Sequence, residues 1–186
     1  MKRFLLPALC ALALLPSISN ADESDPAYRL NPGDALSVSV WGEEKLKADK
    51  VLVLPDGSIT FPLAGKVKVA GLDTTAVESK LAASLEKYIP DPKVTVVIIG
   101  TEGNHVFVQG KVLKPGSVQL SGQTDVLQVV SMAGGLDKFA DTKGIKVVRR
   151  NGAKQEVLRV RYNDLISGDD MSTNYVLKAG DTLVVP

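Results

Sequence analysis

The sequence has few of the side chains from which most enzyme and metal sites are built. Its 186 residues include one cysteine, Cys10, and one histidine, His105, and aromatic residues make up only 5%. A single cysteine cannot form an internal disulfide, and zinc sites need three or four His, Cys or carboxylate ligands. A catalytic triad needs a histidine beside a nucleophile, and no G-x-S-x-G motif accompanies His105. We therefore interpret His105, at the start of a predicted strand, as a strand or surface residue.

Common ligand-binding motifs are also absent, with no G-x-x-x-x-G-K-[ST] loop, no G-x-G-x-x-G and no EF-hand spacing. The acidic pairs Glu43-Glu44 and Asp169-Asp170 remain, and glycosidases need only two carboxylates that the fold brings together. Adjacent acids in polar segments are usually solvated, so we interpret both pairs as loop residues. Trp41 could stack on a sugar ring, but a lone tryptophan after a strand more often packs against the core. We predict no catalytic, cofactor-binding or metal-binding residue.

Basic residues cluster in the last third of the chain, at Arg149, Arg150, Lys154, Arg159 and Arg161. They alternate with valines across a predicted hairpin, which is typical of a solvated sheet face. The whole chain has 22 basic against 21 acidic residues and few aromatic rings for base stacking. We therefore predict no nucleic-acid partner.

The N-terminus has the pattern of a secretory signal peptide. The basic start Met1-Lys2-Arg3 precedes an apolar run over residues 4–15, and Ser19 and Ala21 occupy the −3 and −1 positions of an A-x-A-like cleavage site. The run is too short to span a bilayer, which needs ~20 apolar residues. We predict cleavage of residues 1–21 and an exported protein.

Cys10 could indicate a lipoprotein anchor. However, the large Leu9 precedes it, where lipidation needs a small residue, and it lies in the middle of the apolar run. We therefore predict no lipidation. The remaining chain has no apolar run of membrane-spanning length, since its longest, Val94–Ile99, is strand-sized.

Hydrophobic periodicity divides the rest of the chain into two α+β units, 27–100 and 104–186. In the first unit, alternation predicts a strand at Leu36–Val40, and Val51–Leu54 and Ser58–Phe61 are predicted to form a hairpin around the intervening Pro-Asp-Gly turn.

A helix and a last strand are predicted to complete the first unit. After a strand at Lys66–Val69, apolar residues recur every three or four positions from Val77 to Tyr88, which indicates one helical face. Thr75 and Glu78 have capping-box spacing, and the Pro-Asp-Pro sequence at 90–92 stops the helix before a strand at 93–99.

The second unit is predicted to contain several strands around one helix. Thr124 is predicted to cap the helix, which ends at Gly134-Gly135, and Asn151-Gly152 marks the clearest hairpin turn. Two turns share the frame L-x-[PA]-G-D-x-L, one at 30–36 and one at 177–183. We interpret both as tight turns leading into strands rather than as a functional repeat.

Several stretches, in order, resemble bacterial polysaccharide export proteins. Those that resemble the N-terminal export domain are Tyr28–Asp34, Val38–Gly42, Leu54–Ile59, Pro62–Gly65, Val69–Leu72 and Asp91–Val94. Those that resemble the soluble-ligand-binding β-grasp (SLBB) domain are Val108–Val112, Pro115-Gly116, Ala133–Leu136, Phe139–Asp141, Val148–Gly152 and Gly180–Pro186. The resemblance implies two small β-rich α+β domains, at 27–100 and 104–186, the second β-grasp-like.

This resemblance implies a periplasmic, non-enzymatic component of a capsular or exopolysaccharide export machine, associated with the outer membrane. Such proteins form ring-like conduits, so the implied partners are the polysaccharide and further copies of the chain. Larger Wza-like members add β-grasp domains and a membrane-crossing helix, whereas this sequence stops after its last strand. We therefore also expect an outer-membrane barrel or porin partner, together with an inner-membrane polymerase or co-polymerase complex. No cofactor is implied.

Three other functions remain open at this point. A periplasmic glycan-sensing or adaptor module could use the same β-grasp surface without forming a conduit. Related β-grasp domains occur in DNA-uptake proteins, although this sequence has no helix-hairpin-helix segment. An enzyme that acts on the polysaccharide would have to use the acidic pairs.

Overall fold

The computed structural model describes residues 27–186, so the predicted signal peptide, its cleavage site after Ala21 and the lipidation candidate Cys10 lie outside the described residues. The strands are β1 Ala35–Val40, β2 Lys47–Leu52, β3 Ser58–Phe61, β4 Gly65–Lys68, β5 Val94–Gly100, β6 His105–Gly110, β7 Gly116–Gln119, β8 Lys146–Asn151, β9 Lys154–Arg159 and β10 Thr182–Val185. The helices are α1 Thr74–Leu85, α2 Val126–Met132 and α3 Tyr162–Ser167, with a 3₁₀ turn at Glu44–Leu46. The predicted α+β class is confirmed.

The first sheet has three strands in the order β2-β1-β5 and is antiparallel throughout. Its inner face buries alternate residues of β1, namely Leu36, Val38 and Val40, in one hydrophobic cluster with Val77 and Leu81 of α1. Because the strand period is two, the same alternation leaves Ser37 and Ser39 on the opposite face.

The predicted hairpin between β2 and β3 is wrong. Strand β2 pairs with β1, while β3 pairs with β4 in a separate two-stranded sheet. The Pro-Asp-Gly turn does form, since Gly57 N–H donates to the Leu54 carbonyl at 2.7 Å, but it directs the chain from one sheet to the other. The start of β2 was concealed by its charged residues Lys47, Asp49 and Lys50, because an edge strand needs little apolar surface.

Helix α1 is capped by a residue other than the predicted one. The Asp73 carboxylate accepts the Ala76 N–H at 2.9 Å, so Thr75 and Glu78 form no capping box. Glu78 instead accepts the N–H of Val96 on β5 at 2.9 Å. Its carboxylate therefore covers a backbone donor on the edge of the first sheet, which reduces the tendency of that edge to pair with another chain.

Two further helix boundaries differ from the predictions. Helix α2 is capped by Asp125 in a capping box with Gln128, rather than by Thr124. Helix α1 ends at Leu85, so Tyr88 lies beyond it and is exposed rather than packed on the helical face.

The second sheet has five strands in the order β7-β6-β10-β8-β9. Its central pair, β6 and β10, is parallel, and the other neighbours are antiparallel. This order, with the first and last strands of the unit together at the centre and α2 packed against the sheet, is the β-grasp arrangement expected from the resemblance. The predicted Asn151-Gly152 turn joins β8 to β9, whereas α3 was not predicted. The core of this unit, from Val106 to Val185, is separate from that of the first.

Candidate functional site

The two turns with the shared L-x-[PA]-G-D-x-L frame have the same geometry. In each turn, the aspartate N–H donates to the carbonyl three residues earlier, at 3.1 Å from Asp34 to Asn31 and 3.0 Å from Asp181 to Lys178. In each, the N–H of that earlier residue donates back to the aspartate carboxylate, at 2.7 and 2.9 Å. The glycine before each aspartate has a positive φ, 99° and 84°. Both segments are therefore tight turns into strands, as the sequence indicated.

Asp34 also ties the turn to the junction between the two units. It is fully buried, and its carboxylate accepts the Tyr28 hydroxyl at 2.8 Å and the Gly103 N–H at 3.0 Å. A Cβ on Gly103 would lie 2.4 Å from the Pro32 carbonyl oxygen, so glycine is required there. Burial raises the pKa of the Tyr28 hydroxyl above its ordinary value, an Asn31 hydrogen bond opposes this, and the Asp34 carboxylate adds to it.

Asp181 binds a cation in addition to the backbone N–H of Lys178. Its carboxylate accepts Arg149 Nε at 3.0 Å and Nη2 at 2.6 Å, and their side chains are only 2% and 17% exposed. Arg149 Nη2 also donates to the Val176 carbonyl at 2.9 Å. The bonds to Asp181 raise the pKa of the Arg149 guanidinium, while burial opposes the rise. The interpretation of Arg149 as part of a solvated face is therefore wrong, whereas Arg150 and Lys154 are exposed.

The outer face of the first sheet, defined here by Ser37, Ser39, Thr95, Val97 and Ile99, carries small hydroxyl and β-branched side chains. Ser37 lies opposite Val97 and Ser39 opposite Thr95. No helix of the described residues covers these side chains, and Val97 and Ile99 are 52% and 50% exposed. Exposed apolar side chains grouped on one face are typical of a protein contact surface.

Trp41 extends this outer face beyond the end of β1. Its backbone N–H donates to the Lys93 carbonyl at 2.9 Å, but its side chain is 87% exposed. The interpretation of Trp41 as a core residue is therefore wrong. The indole borders a cleft of about 560 Å³ with Glu43, Glu44 and Lys47. Trp41 follows Ser37 and Ser39 at the strand period of two, so the alternation of β1 already indicated the outer face for its side chain.

The two acidic pairs lie in different units of the fold. Glu43 and Glu44 are exposed in the turn after β1, and Asp169 and Asp170 follow α3. The Asp170 carboxylate accepts the Ser172 N–H at 2.7 Å, and its pKa is lowered by hydrogen bonds from Ser172 and by the charge of Arg161. Asp170 therefore belongs to a local ion pair of the second unit.

His105 begins β6, as predicted. Its Nδ1 lies 2.8 Å from the Glu102 carbonyl oxygen, and its ring packs edge-on against Phe107 at 5.0 Å between centroids. Within residues 27–186, no three His, Cys, Asp or Glu side chains are grouped to hold a metal ion. In that same range, no helix has the length and hydropathy required to cross a bilayer.

A second cleft, of about 590 Å³, lies in the β-grasp unit beside α3. Its walls come from the end of β9, the first turn of α3, the loop at 142–143 and the segment at 173–175. Val160 N–H donates to the Ile145 carbonyl at 2.9 Å and Arg161 N–H donates to Thr173 Oγ1 at 3.1 Å, so one backbone bond and one backbone-to-side-chain bond hold these segments together. No motif in the sequence predicted this cleft.

Comparisons of the sequence with known proteins match one family or domain type to each of the two units. The polysaccharide biosynthesis/export protein family matches residues 22–99, and the SLBB domain matches residues 105–158. One similar protein is the EPS I polysaccharide export outer membrane protein EpsA of Ralstonia solanacearum, 28% identical over 155 residues that cover 70% of this chain and 41% of EpsA. The polysialic acid transport protein KpsD of Escherichia coli is 28% identical over 162 residues, 87% of this chain and 28% of KpsD.

A third similar protein is the capsule polysaccharide export protein BexD of Haemophilus influenzae. It is 26% identical over 178 residues, which cover 84% of this chain and 43% of BexD. The chain thus spans less than half the length of these relatives. Two family matches in the expected order, on an α+β fold whose second unit is β-grasp, lead to one conclusion: the chain belongs to the polysaccharide export protein family.

Proposed function

We propose that this protein is a non-enzymatic, periplasmic component of a capsular or exopolysaccharide export machine, and that several copies form a ring-like conduit. Its domains span 27–100 and 104–186, and it works at the outer membrane with a membrane-embedded partner and an inner-membrane polymerase or co-polymerase complex. The family matches support the export role, as do the names of the relatives, which describe transport or export of EPS I, polysialic acid and capsule polysaccharide.

The observation that carries the assembly proposal is the outer face of the first sheet. A single domain of about 80 residues has a small core, and an apolar face left open gains stability when a neighbour covers it. Head-to-tail contacts between identical subunits close into a ring when their rotation permits. The adjoining Trp41 indole adds the large, rigid and exposed side chain that is typical of such contacts, beside the exposed Val97 and Ile99.

A conduit for a hydrated glycan needs no reactive group. It needs a wide, polar wall that binds each sugar weakly, because tight binding at any one point would stall transit. Hydroxyl and charged side chains of the described residues can supply such a wall when several copies surround one axis.

The test is a charge placed on the outer face. Val97→Lys puts an ammonium at the middle of the proposed contact, where an unpaired charge costs about 3 kcal/mol or more per interface. Ile166→Lys is the matched control, since Ile166 is a comparably exposed apolar residue on α3, away from the first sheet. We expect native mass spectrometry and cryo-EM of the full chain to show assemblies for the wild type and the control but not for Val97→Lys.

Export is measured in the native host with the same two variants. Val97→Lys should reduce surface polysaccharide to nearly the level of a deletion strain, and Ile166→Lys should leave it unchanged. Intact assemblies and normal export with Val97→Lys would contradict the proposal. A deletion strain that still exports polymer but makes it with altered amount or length would instead favour the glycan-sensing adaptor.

A further inference from the structure

The cleft beside α3 has the size of a small-ligand site. Its volume of about 590 Å³ falls within the range of roughly 300–1,000 Å³ that is usual for ligand pockets. That volume is sufficient for one or two sugar rings.

Two cations on the cleft walls are free to bind a ligand. Within residues 27–186, neither Arg159 nor Lys143 has a carboxylate within 4.0 Å or a side-chain hydrogen bond. The third cation, Arg161, differs because its Nε lies 3.6 Å from the Asp164 carboxylate and its Nη2 pairs with Asp170. Since Asp164 is already paired, the cleft carries an excess of positive charge.

Aromatic rings with polar ends form another wall of the cleft. Tyr162 and Tyr175 are half-buried, and their rings pack against the core of the second unit. Among the described residues, neither tyrosine hydroxyl has a hydrogen-bond partner, so both can bind a ligand. Asn163 and Thr142 add further hydrogen-bonding groups at the wall. A fixed ring with a polar end suits a ligand that has both apolar faces and hydroxyl edges.

We propose that this cleft binds an acidic sugar unit, a pyranose that carries a carboxylate, with Arg159 and Lys143 binding the carboxylate and the two tyrosines contacting the ring. An arginine beside a carboxylate can form two parallel hydrogen bonds, which gives direction as well as charge attraction. The choice of a saccharide rests on the proposed function, whereas the choice of an acidic one rests on the unpaired cations. Binding is weak and reversible, since the cleft is open to solvent.

The test measures binding of oligogalacturonate to the full processed chain by isothermal titration calorimetry and NMR chemical-shift mapping at a fixed salt concentration. Maltooligosaccharide of the same length is the neutral comparison, and inorganic polyphosphate is the non-sugar anion. The Arg159→Gln variant removes one proposed contact. Lys154→Gln removes the same charge from the other end of β9, outside the cleft, and is the matched control. Tyr175→Phe removes only a hydroxyl.

We expect oligogalacturonate to bind more tightly than the other two ligands and to shift resonances of cleft residues. Arg159→Gln should weaken binding about five- to tenfold, and Lys154→Gln should leave it within about twofold. Equal binding of the neutral sugar, equal or tighter binding of polyphosphate, no binding of oligogalacturonate, or equal losses in the two variants would each overturn the proposal. Native mass spectra of Arg159→Gln should still show the wild-type assembly. Failure of this proposal is thus distinguishable from failure of ring formation.

Discussion

The buried pair between Arg149 and Asp181 provides the sharpest stability prediction. Asp181→Asn keeps the shape of the side chain and removes its charge. The new amide directs an NH₂ group or a weaker neutral acceptor at the guanidinium, which loses its bidentate carboxylate at 2.6 and 3.0 Å. Removing one member of a buried pair costs about 3–5 kcal/mol because the remaining charge stays buried. Arg149 keeps 17% of its side-chain surface in water, so we expect a cost near the lower limit, about 3 kcal/mol.

A thermodynamic cycle separates the pair from the turn that Asp181 closes. Arg149→Met removes the cation and leaves the carboxylate with the Lys178 N–H at 2.9 Å. The double variant Arg149→Met/Asp181→Asn leaves no isolated charge, and it should be more stable than the sum of the single variants predicts by about 2 kcal/mol.

The assay is urea unfolding of the full chain, followed by circular dichroism, with Asp34→Asn as the control. Asp34 closes the equivalent turn with neutral donors only, so its effect should add to that of Arg149→Met within about 0.5 kcal/mol. A cost of less than about 1 kcal/mol for Asp181→Asn, or a cycle with no coupling, would refute the reasoning.

Two further predictions concern single positions. Gly110→Ala should destabilise the second domain by several kcal/mol, because a Cβ there would lie 1.9 Å from the Val185 carbonyl oxygen. Gly135 has a similarly positive φ of 94° but open space around it, so Gly135→Ala should lower the free energy of unfolding by only about 1 kcal/mol. Thermal melts of the two variants measure the difference. Because burial raises the pKa of Tyr28, its contribution to stability should be constant below the unfolded-state pKa of about 10 and fall as pH rises above it. Tyr28→Phe should abolish that alkaline loss, and ultraviolet absorbance should show one tyrosine that ionises later than the others; full ionisation of all tyrosines together would contradict this.

Much of the local structure could be predicted because it depends on residues close in the chain. The Pro-Gly-Asp and Ala-Gly-Asp turns need a glycine with positive φ and an aspartate that accepts a nearby N–H, and both requirements are written in a few adjacent residues. The Asn151-Gly152 hairpin is predictable for the same reason. The first sheet illustrates the limit, since alternation located β1 but could not show that β2 pairs with it rather than with β3.

The candidate sites were less accessible to sequence reasoning. Arg149 and Arg159 lie on neighbouring strands with the same basic character, yet one is held by a buried carboxylate and the other lines an open cleft. The difference arises because Asp181, far along the chain, is brought beside Arg149 by the pairing of β8 with β10. Trp41 differs, because its register with Ser37 and Ser39 already indicated the outer face, and the fold shows that its side chain is left exposed.

The order of amino acids by itself determined the turns, the hairpin, the alternation of the strands and the family, because these depend on short-range sterics and on ordered local patterns. Only the tertiary structure decided which strands became neighbours, which charges were buried together and which faces were left open. Those features depend on contacts between residues distant in the chain, whose free energies are set by burial and geometry in three dimensions and leave no local signal.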